Sequence, residues 1–142
     1  MRALLDVNAL IALHDRNHIH HKRASEWFAT HAKQGWASCP LTQNGCLRVM
    51  CQPAYPNAQP MAALLDMLRQ STSTSFHEFW SDDTSILDAK AFHQAHMHSH
   101  RQITDLYLLG LAVKNRGRLI TFDIRIPLTA VRGATQAHLV TL

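Results

Sequence analysis

Three aspartates, Asp6, Asp105 and Asp123, stand where a carboxylate is well placed to do chemistry. Asp6 ends the apolar run Ala3-Leu4-Leu5, and Asp123 follows Leu119-Ile120-Thr121-Phe122, so each falls just past the C-terminal end of a predicted buried strand. Asp105 follows Thr104, a strong N-cap candidate, and so opens a predicted helix that leads into the Asp123 strand. In open α/β sheets ligands bind at the carboxyl ends of the strands. Carboxylates gathered there repel one another, and a divalent cation is the usual resolution, since Mg2+ and Mn2+ prefer carboxylate oxygens and retain several waters. An ion so held activates water and neutralises charge on a phosphodiester in transfer. One Asp at a strand end is more often a cap for a turn or helix. Two such residues, with a third opening an apolar helix, favour a shared site at the C-terminal edge of the sheet.

Elements that would position these acids follow from periodicity and breakers. A helix starts at residues 9–13, after Asn8. Residues 18–33 carry Ala24, Trp27, Phe28 and Ala32 at helical spacing, which predicts an amphipathic helix stopped by Gly35. Residues 36–39 form a short strand, and Pro40 and Thr42 open a helix to about Met50. Pro53, Pro56 and Pro60 break the next stretch into a loop. Residues 61–68 are helical, with Leu64, Leu65 and Leu68 on one face; residues 74–80 have β character, and Ser81-Asp82-Asp83 make a turn or helix start. Residues 93–101 are polar and carry no clear assignment. The Asp105 helix runs to about Asn115, strand 118–122 ends at Asp123, and 137–142 is a last short strand. Alternating helices and short apolar strands without an internal repeat predict an α/β, three-layer α/β/α fold around a mostly parallel sheet of four to five strands, as one domain over residues 1–142.

With 142 residues, 46% of them hydrophobic and 17% charged, the chain has the composition of a globular domain able to bury one core. The net charge of +4 favours polyanions, RNA or an acidic peptide alike. The three cysteines, Cys39, Cys46 and Cys51, are odd in number and lack a C-x-x-C spacing, which points away from a disulfide framework and toward a reducing cytoplasm. Asp6 interrupts the N-terminal apolar run, so no signal peptide is read there, and no apolar stretch reaches the roughly 20 residues of a membrane span. A soluble protein is expected.

Longer segments carry a more specific message. Leu4-Leu5-Asp6-Val7-Asn8-Ala9-Leu10-Ile11-Ala12-Leu13 resembles the opening motif of PIN-domain toxins of the VapC family, and so does Ile103-Thr104-Asp105-Leu106-Tyr107-Leu108-Leu109-Gly110-Leu111-Ala112. Gly117-Arg118-Leu119-Ile120-Thr121-Phe122-Asp123 is similar to the segment with that family's late acid, while Trp27-Phe28, Gly35-Trp36-Ala37, Thr42-Gln43-Asn44-Gly45 and His77-Glu78-Phe79-Trp80 resemble landmarks of one subgroup. The likeness covers nearly the whole chain in matching order. It implies a PIN fold and Mg2+- or Mn2+-dependent cleavage of RNA, with Asp6, Asp105 and Asp123 as metal-binding carboxylates. It further implies a homodimer, the toxin of a type II toxin–antitoxin pair, inhibited by a VapB-like antitoxin and reaching operator DNA only through it. One position departs: where the family has a further acid, usually Glu, this chain has Gln43, which carries no charge and cannot act as a base. A catalytic role at Gln43 would then be a weakened one, with a weaker second metal.

The remaining features are read conservatively. His18, His20 and His21, and His93, His96, His98 and His100, match no zinc-finger spacing and are read as solvated or RNA-facing. Asn8 is a candidate to orient a carboxylate, and Arg48, Lys114, Arg116, Arg118 and Arg125 are candidate phosphate contacts. Glu26, Glu78, Asp82 and Asp83 default to turns or surface. Trp27, Phe28, Trp36, Phe79 and Trp80 are read mostly as core. A dehalogenase-type phosphotransferase would want Asp-x-Asp where this chain has Asp6-Val7-Asn8, and no Walker motif is present. The competing reading is a catalytically weakened PIN-fold binding module that acts through its antitoxin and operator DNA.

Overall fold

Short segments buried on both faces become strands sandwiched between helices, because a parallel sheet is covered on both sides. Ala3–Leu5 (β1), Trp36–Ser38 (β2) and Arg118–Thr121 (β4) are of this kind. The edge strands His77–Phe79 (β3) and Leu139–Thr141 (β5) are more exposed. In the computed structural model, which describes residues 1–142, these five strands form one parallel sheet in the order β3-β2-β1-β4-β5. The helices are α1 (Val7–His14), α2 (His21–His31), α3 (Pro40–Met50), α4 (Met61–Thr72) and α5 (Ile103–Lys114).

Side chains alternate across each strand and divide the core in two. Ala3, Leu5, Trp36 and Ile120 pack with Leu10 of α1, Met50 of α3 and Leu64 and Leu68 of α4. Leu4, Ala37 and Leu119 pack on the opposite face with Leu106, Leu109 and Leu111 of α5, closed over by Trp80 and Phe92. The result is a three-layer α/β/α arrangement. From β1 the chain moves outward to β2 and β3, then returns across β1 to build β4 and β5 on the other side. The strand order therefore reverses between β1 and β4. Crossovers leaving in opposite directions place their helices on opposite faces and leave a crevice at the carboxyl ends of those two strands.

Several local expectations are corrected. Thr104 is not the N-cap of α5. The helix begins at Ile103, directly off a 3-10 turn over His100–Gln102, and Ser99 caps that turn by accepting from the Arg101 amide. The unassigned residues 93–101 thus contain two 3-10 turns, the first over Gln94–His96. Phe79 is 54% exposed because it lies on an edge strand, so it is not core, whereas Trp36 and Trp80 are buried. Leu64 and Leu68 are buried but Leu65 is only half-buried, since it lies about 100° around α4 from Leu64. The C-terminal strand is shorter than expected, as residues 136–138 form a 3-10 turn. All three cysteines are free.

Two contacts set the helices that carry the site. The buried Asp15 at the end of α1 accepts hydrogen bonds from the Tyr55 hydroxyl and, at 2.9 Å, the Asn57 side-chain amide, which ties the proline-rich loop to α1. Gly45 lets α3 lie against the start of α1: a Cβ there would stand 2.6 Å from Cγ2 of Val7, a β-branched side chain with little rotamer freedom. Gly45→Ala is therefore expected to lower stability by about 1–3 kcal/mol through overpacking. Thermal unfolding should show a Tm lower by several degrees, largely recovered in Val7→Ala/Gly45→Ala. An unchanged Tm for the single variant would show that the two helices are free to separate.

Candidate active site

The strand-order reversal puts the end of β1 beside the end of β4, and with them Asp6 and Thr121, the residue two before Asp123. Asp6 is only 3% exposed. Its backbone amide donates to the Ile120 carbonyl of β4 at 3.0 Å, and its Oδ1 accepts the Ala9 amide at 2.6 Å, capping α1. Asp6 thus is the helix cap that a lone Asp at a strand end would be, and it also faces the other acids. Thr121 joins the two strand ends: its hydroxyl oxygen accepts the Asp123 amide at 3.0 Å, and its proton is directed at the Asp6 carboxylate. Asp105 sits half-buried in the first turn of α5, on the opposite face of the sheet from α1.

The three carboxylates feel one another's charge. Burial pushes Asp6 up to about 6, against the Thr121 and Ala9 hydrogen bonds and with help from the Asp123 charge. Burial likewise raises Asp105 to about 6, and the charges of Asp6 and Asp123 add to it. Asp123 moves the other way. The Arg125 guanidinium hydrogen-bonds it, with Nε 3.1 Å from Oδ1, and holds its carboxyl below the usual range. Neither Asp6 nor Asp105 has a salt-bridge partner.

As the side chains stand, no group of three or more His, Cys, Asp or Glu is drawn tightly enough together to hold an ion. The donor set nevertheless suits one. It consists of hard oxygens, two of them on carboxylates whose ionisation is costly without a neighbouring cation, which is the chemistry that Mg2+ and Mn2+ prefer.

Gln43 lies in the first turn of α3, at the end of β2 next to β1. Its side-chain NH2 donates to the Ser38 hydroxyl at 2.9 Å, and that hydroxyl lies 2.8 Å from Nε2 of His77 on β3. Thr121 stands out in the sequence only by its place two residues before Asp123, with no role attached, and Ser38 does not stand out at all, because a single hydroxyl in a strand gives no signal of its partners. Asn8 is exposed and its side chain makes no hydrogen bond within the protein. The other acids are engaged elsewhere: Glu26 with Lys22, Glu78 with Arg2, Asp83 with Lys114, while Asp82 accepts the Leu41 amide. Among the candidate phosphate contacts, Lys114 is taken by Asp83, and Arg118 lies over the Trp27 ring; Arg125, exposed at the mouth beside Asp123, is the one joined to the cluster. His93 and His96 pack edge-to-face, and His20 stacks on Phe122. No helix is long and apolar enough to cross a membrane.

This arrangement, carboxylates at a strand-order reversal in a small parallel sheet, coincides with a family of known proteins. The PIN domain family model matches residues 3–132. Ribonuclease VapC44 of Mycobacterium tuberculosis is 54% identical over 142 residues, covering 100% of both chains. Ribonuclease VapC38 of the same organism is 41% identical over 142 residues and 99% of each chain, and ribonuclease VapC39 is 36% identical over 137 residues, 96% of this chain and 99% of its own. The crystal structure of Mycobacterium tuberculosis VapC20, described as a sarcin–ricin loop cleaving toxin, superposes with a TM-score of 0.58 over 82% of this chain and 85% of that one; at 13% identity it supports the fold alone. The chain belongs to the VapC family of PIN-domain proteins.

The raised carboxyls make a pH-dependent prediction. An acid whose folded pKa lies above its unfolded value binds more protons when folded, so it costs stability at pH values above the folded pKa and progressively less as pH falls toward the unfolded one. Asp105→Asn removes that cost. In metal-free buffer its Tm should exceed that of the unsubstituted protein by several degrees at pH 7.5, and the difference should shrink through pH 6 and vanish near pH 4. Comparing variant and parent at each pH cancels the histidines that titrate in the same range. A difference independent of pH would mean that Asp105 is not crowded by its neighbours.

Proposed function

We propose that this protein is an Mg2+- or Mn2+-dependent endoribonuclease, the toxin of a type II toxin–antitoxin pair. The observation that carries the reading is the mutual charge crowding of Asp6, Asp105 and Asp123 at the one place where the strand order reverses. The names borne by full-length relatives support RNA as substrate. Asp6, Asp105 and Asp123 would hold the ion, which when bound supplies Lewis acidity and an activated water for attack on the phosphodiester. Asp6 is the fixed point, anchored by the α1 amide and by Thr121. Asp105 brings the second charge from the opposite layer. Asp123 shares its charge with Arg125, and Arg125, exposed, is suited to exchange that carboxylate for an RNA phosphate. Gln43 contributes a neutral amide where the family usually has an acid, and lowers the total charge to be balanced.

The family further suggests a VapB-like antitoxin partner, operator DNA bound only through that partner, a cytoplasmic location and a homodimer. Light scattering at micromolar concentration should return twice the 16.0 kDa chain mass; a monomer mass would remove the dimer from the proposal.

The decisive measurement is cleavage of a mixed RNA substrate with Mg2+, with Mn2+ and with EDTA. Cleavage should require the ion, and Asp6→Asn or Asp105→Asn should each reduce it by about 100-fold or more, the equivalent of ~2.7 kcal/mol of transition-state stabilisation. If both variants cut like the parent, these residues do not carry the reaction. RNA retained without cleavage under either ion would favour the weakened binding module.

A further inference from the structure

Gln43 raises a question of orientation, because an amide has a donor end and an acceptor end and only one can serve a cation or its hydration shell. The answer lies in a chain of hydrogen bonds that starts outside the acid cluster. Thr72 is the last residue of α4, and its carbonyl is one of those that a helix end leaves without an intrahelical partner. That carbonyl lies near the His77 ring and favours a proton on it. The ring's Nε2 faces the Ser38 hydroxyl at 2.8 Å. Burial lowers the His77 pKa, with Arg2 adding to the effect and the Thr72 carbonyl and Glu78 opposing it, which favours a neutral ring; the Thr72 carbonyl then selects the tautomer with its proton on Nδ1, away from Ser38. Nε2 is then an acceptor and Ser38 must donate to it. Ser38 is fully buried, and its oxygen lone pairs are left to receive the Gln43 NH2 at 2.9 Å. The buried Ser38 hydroxyl has Nε2 as its one acceptor and the Gln43 NH2 as its one donor, so the two contacts fit together.

We infer that Ser38 and His77 are positioning residues that fix which way round the Gln43 amide sits, committing its NH2 to Ser38 and leaving its carbonyl oxygen as the end offered to the cleft. Oε1 of Gln43 accepts no hydrogen bond from the protein, in keeping with a group kept for a ligand that takes oxygen donors, a hydrated divalent cation above all. Ser38 ends β2, and the parallel register that pairs Leu4 with Ala37 continues to bring it beside Leu5, one residue before Asp6. The amide therefore stands at the edge of the acid cluster, and the chain behind it runs through β2 and β3 to the end of α4. The inference rests on the cleft being the functional site, but its test uses neither RNA nor metal.

A carboxylate at position 43 would reverse the chain. It cannot donate, so Ser38 would turn its proton to the carboxylate, and His77 could keep both its contacts only by protonating Nε2. Two NMR measurements on the full chain, labelled with 15N and free of metal, test this. In the unsubstituted protein the His77 ring should show Nδ1 protonated and Nε2 bare at pH 7.5; finding the proton on Nε2 would overturn the inference without any substitution. In Gln43→Glu the His77 pKa should rise by at least about one unit, a tenfold gain in proton affinity, and most of that rise should disappear in Ser38→Ala/Gln43→Glu. A rise that survives the loss of Ser38 would be the through-space charge of the glutamate, and together with an absent rise it counts against the chain. The charged neighbours of the ring, Arg2 and Glu78, form a salt bridge with each other at 2.9 Å and are the same in all the variants compared. Failure of the RNA cleavage assay would leave these NMR outcomes intact, and the converse also holds.

Discussion

Like charges held at the crevice between β1 and β4 are the constraint around which this molecule is built. Asp6 and Asp105 enter from opposite layers of the sheet and meet where the chain changes direction across it. Burial and repulsion from neighbouring acids raise both carboxyls to about 6, and neither forms a salt bridge, the Arg125 charge only partly offsetting the rise at Asp105. A fold selected for stability alone would have paired or neutralised them. Only Asp123 is balanced, by an arginine two residues away on an exposed loop, a weak and screened contact that a stronger ligand is free to replace. The energetic cost of the cluster is carried by two apolar layers on either side of the sheet.

Support for the crowded carboxylates comes from groups that are inconspicuous one by one. Thr121 bridges Asp123 and Asp6 with one hydroxyl, and the Ala9 amide makes Asp6 both a helix cap and a fixed charge. Gly45 permits α3 to approach Val7, which places the first turn of α3 near the end of β1. The same turn carries Gln43, and through Ser38 and His77 its amide is connected to β3 and to the end of α4. An amide there has a double consequence. It attracts a cation less than a carboxylate does, and it spares an already crowded cleft a fourth negative charge.

The 54% identity to VapC44 extends over the full length of both chains, so the differences between the two are substitutions within a shared frame rather than gains or losses of elements. VapC20 retains that frame at 13% identity. What such distant sequences can share is the layer pattern and the strand order, which need only apolar residues at the right period; hydrogen-bond partners such as Ser38 and His77 demand particular side chains.

The places of the three acids at element ends, the strand–helix alternation and the parallel sheet were legible in the sequence because each rests on local information. Short apolar runs ending in Asp announce buried strands with a charge at their carboxyl end, and the apolar run 106–112, extended to Asn115-Arg116-Gly117, has the length and the stop signal of a helix. Local patterns failed where neighbours in space decide. Thr104 has the chemistry of a cap, yet a 3-10 turn already supplies helical backbone before it. Phe79 is apolar, yet β3 is the outermost strand and nothing covers that side of it. The orientation of the Gln43 amide was beyond reach altogether. It depends on Thr72, His77 and Ser38, which the chain separates by up to 39 residues and only the sheet brings into line. Sequence by itself determined which residues carry charge and which elements end in them, because burial and periodicity act along the chain. Tertiary structure alone decided which charges meet and which polar atoms face them, because repulsion and hydrogen bonding depend on distances that only the packed layers set.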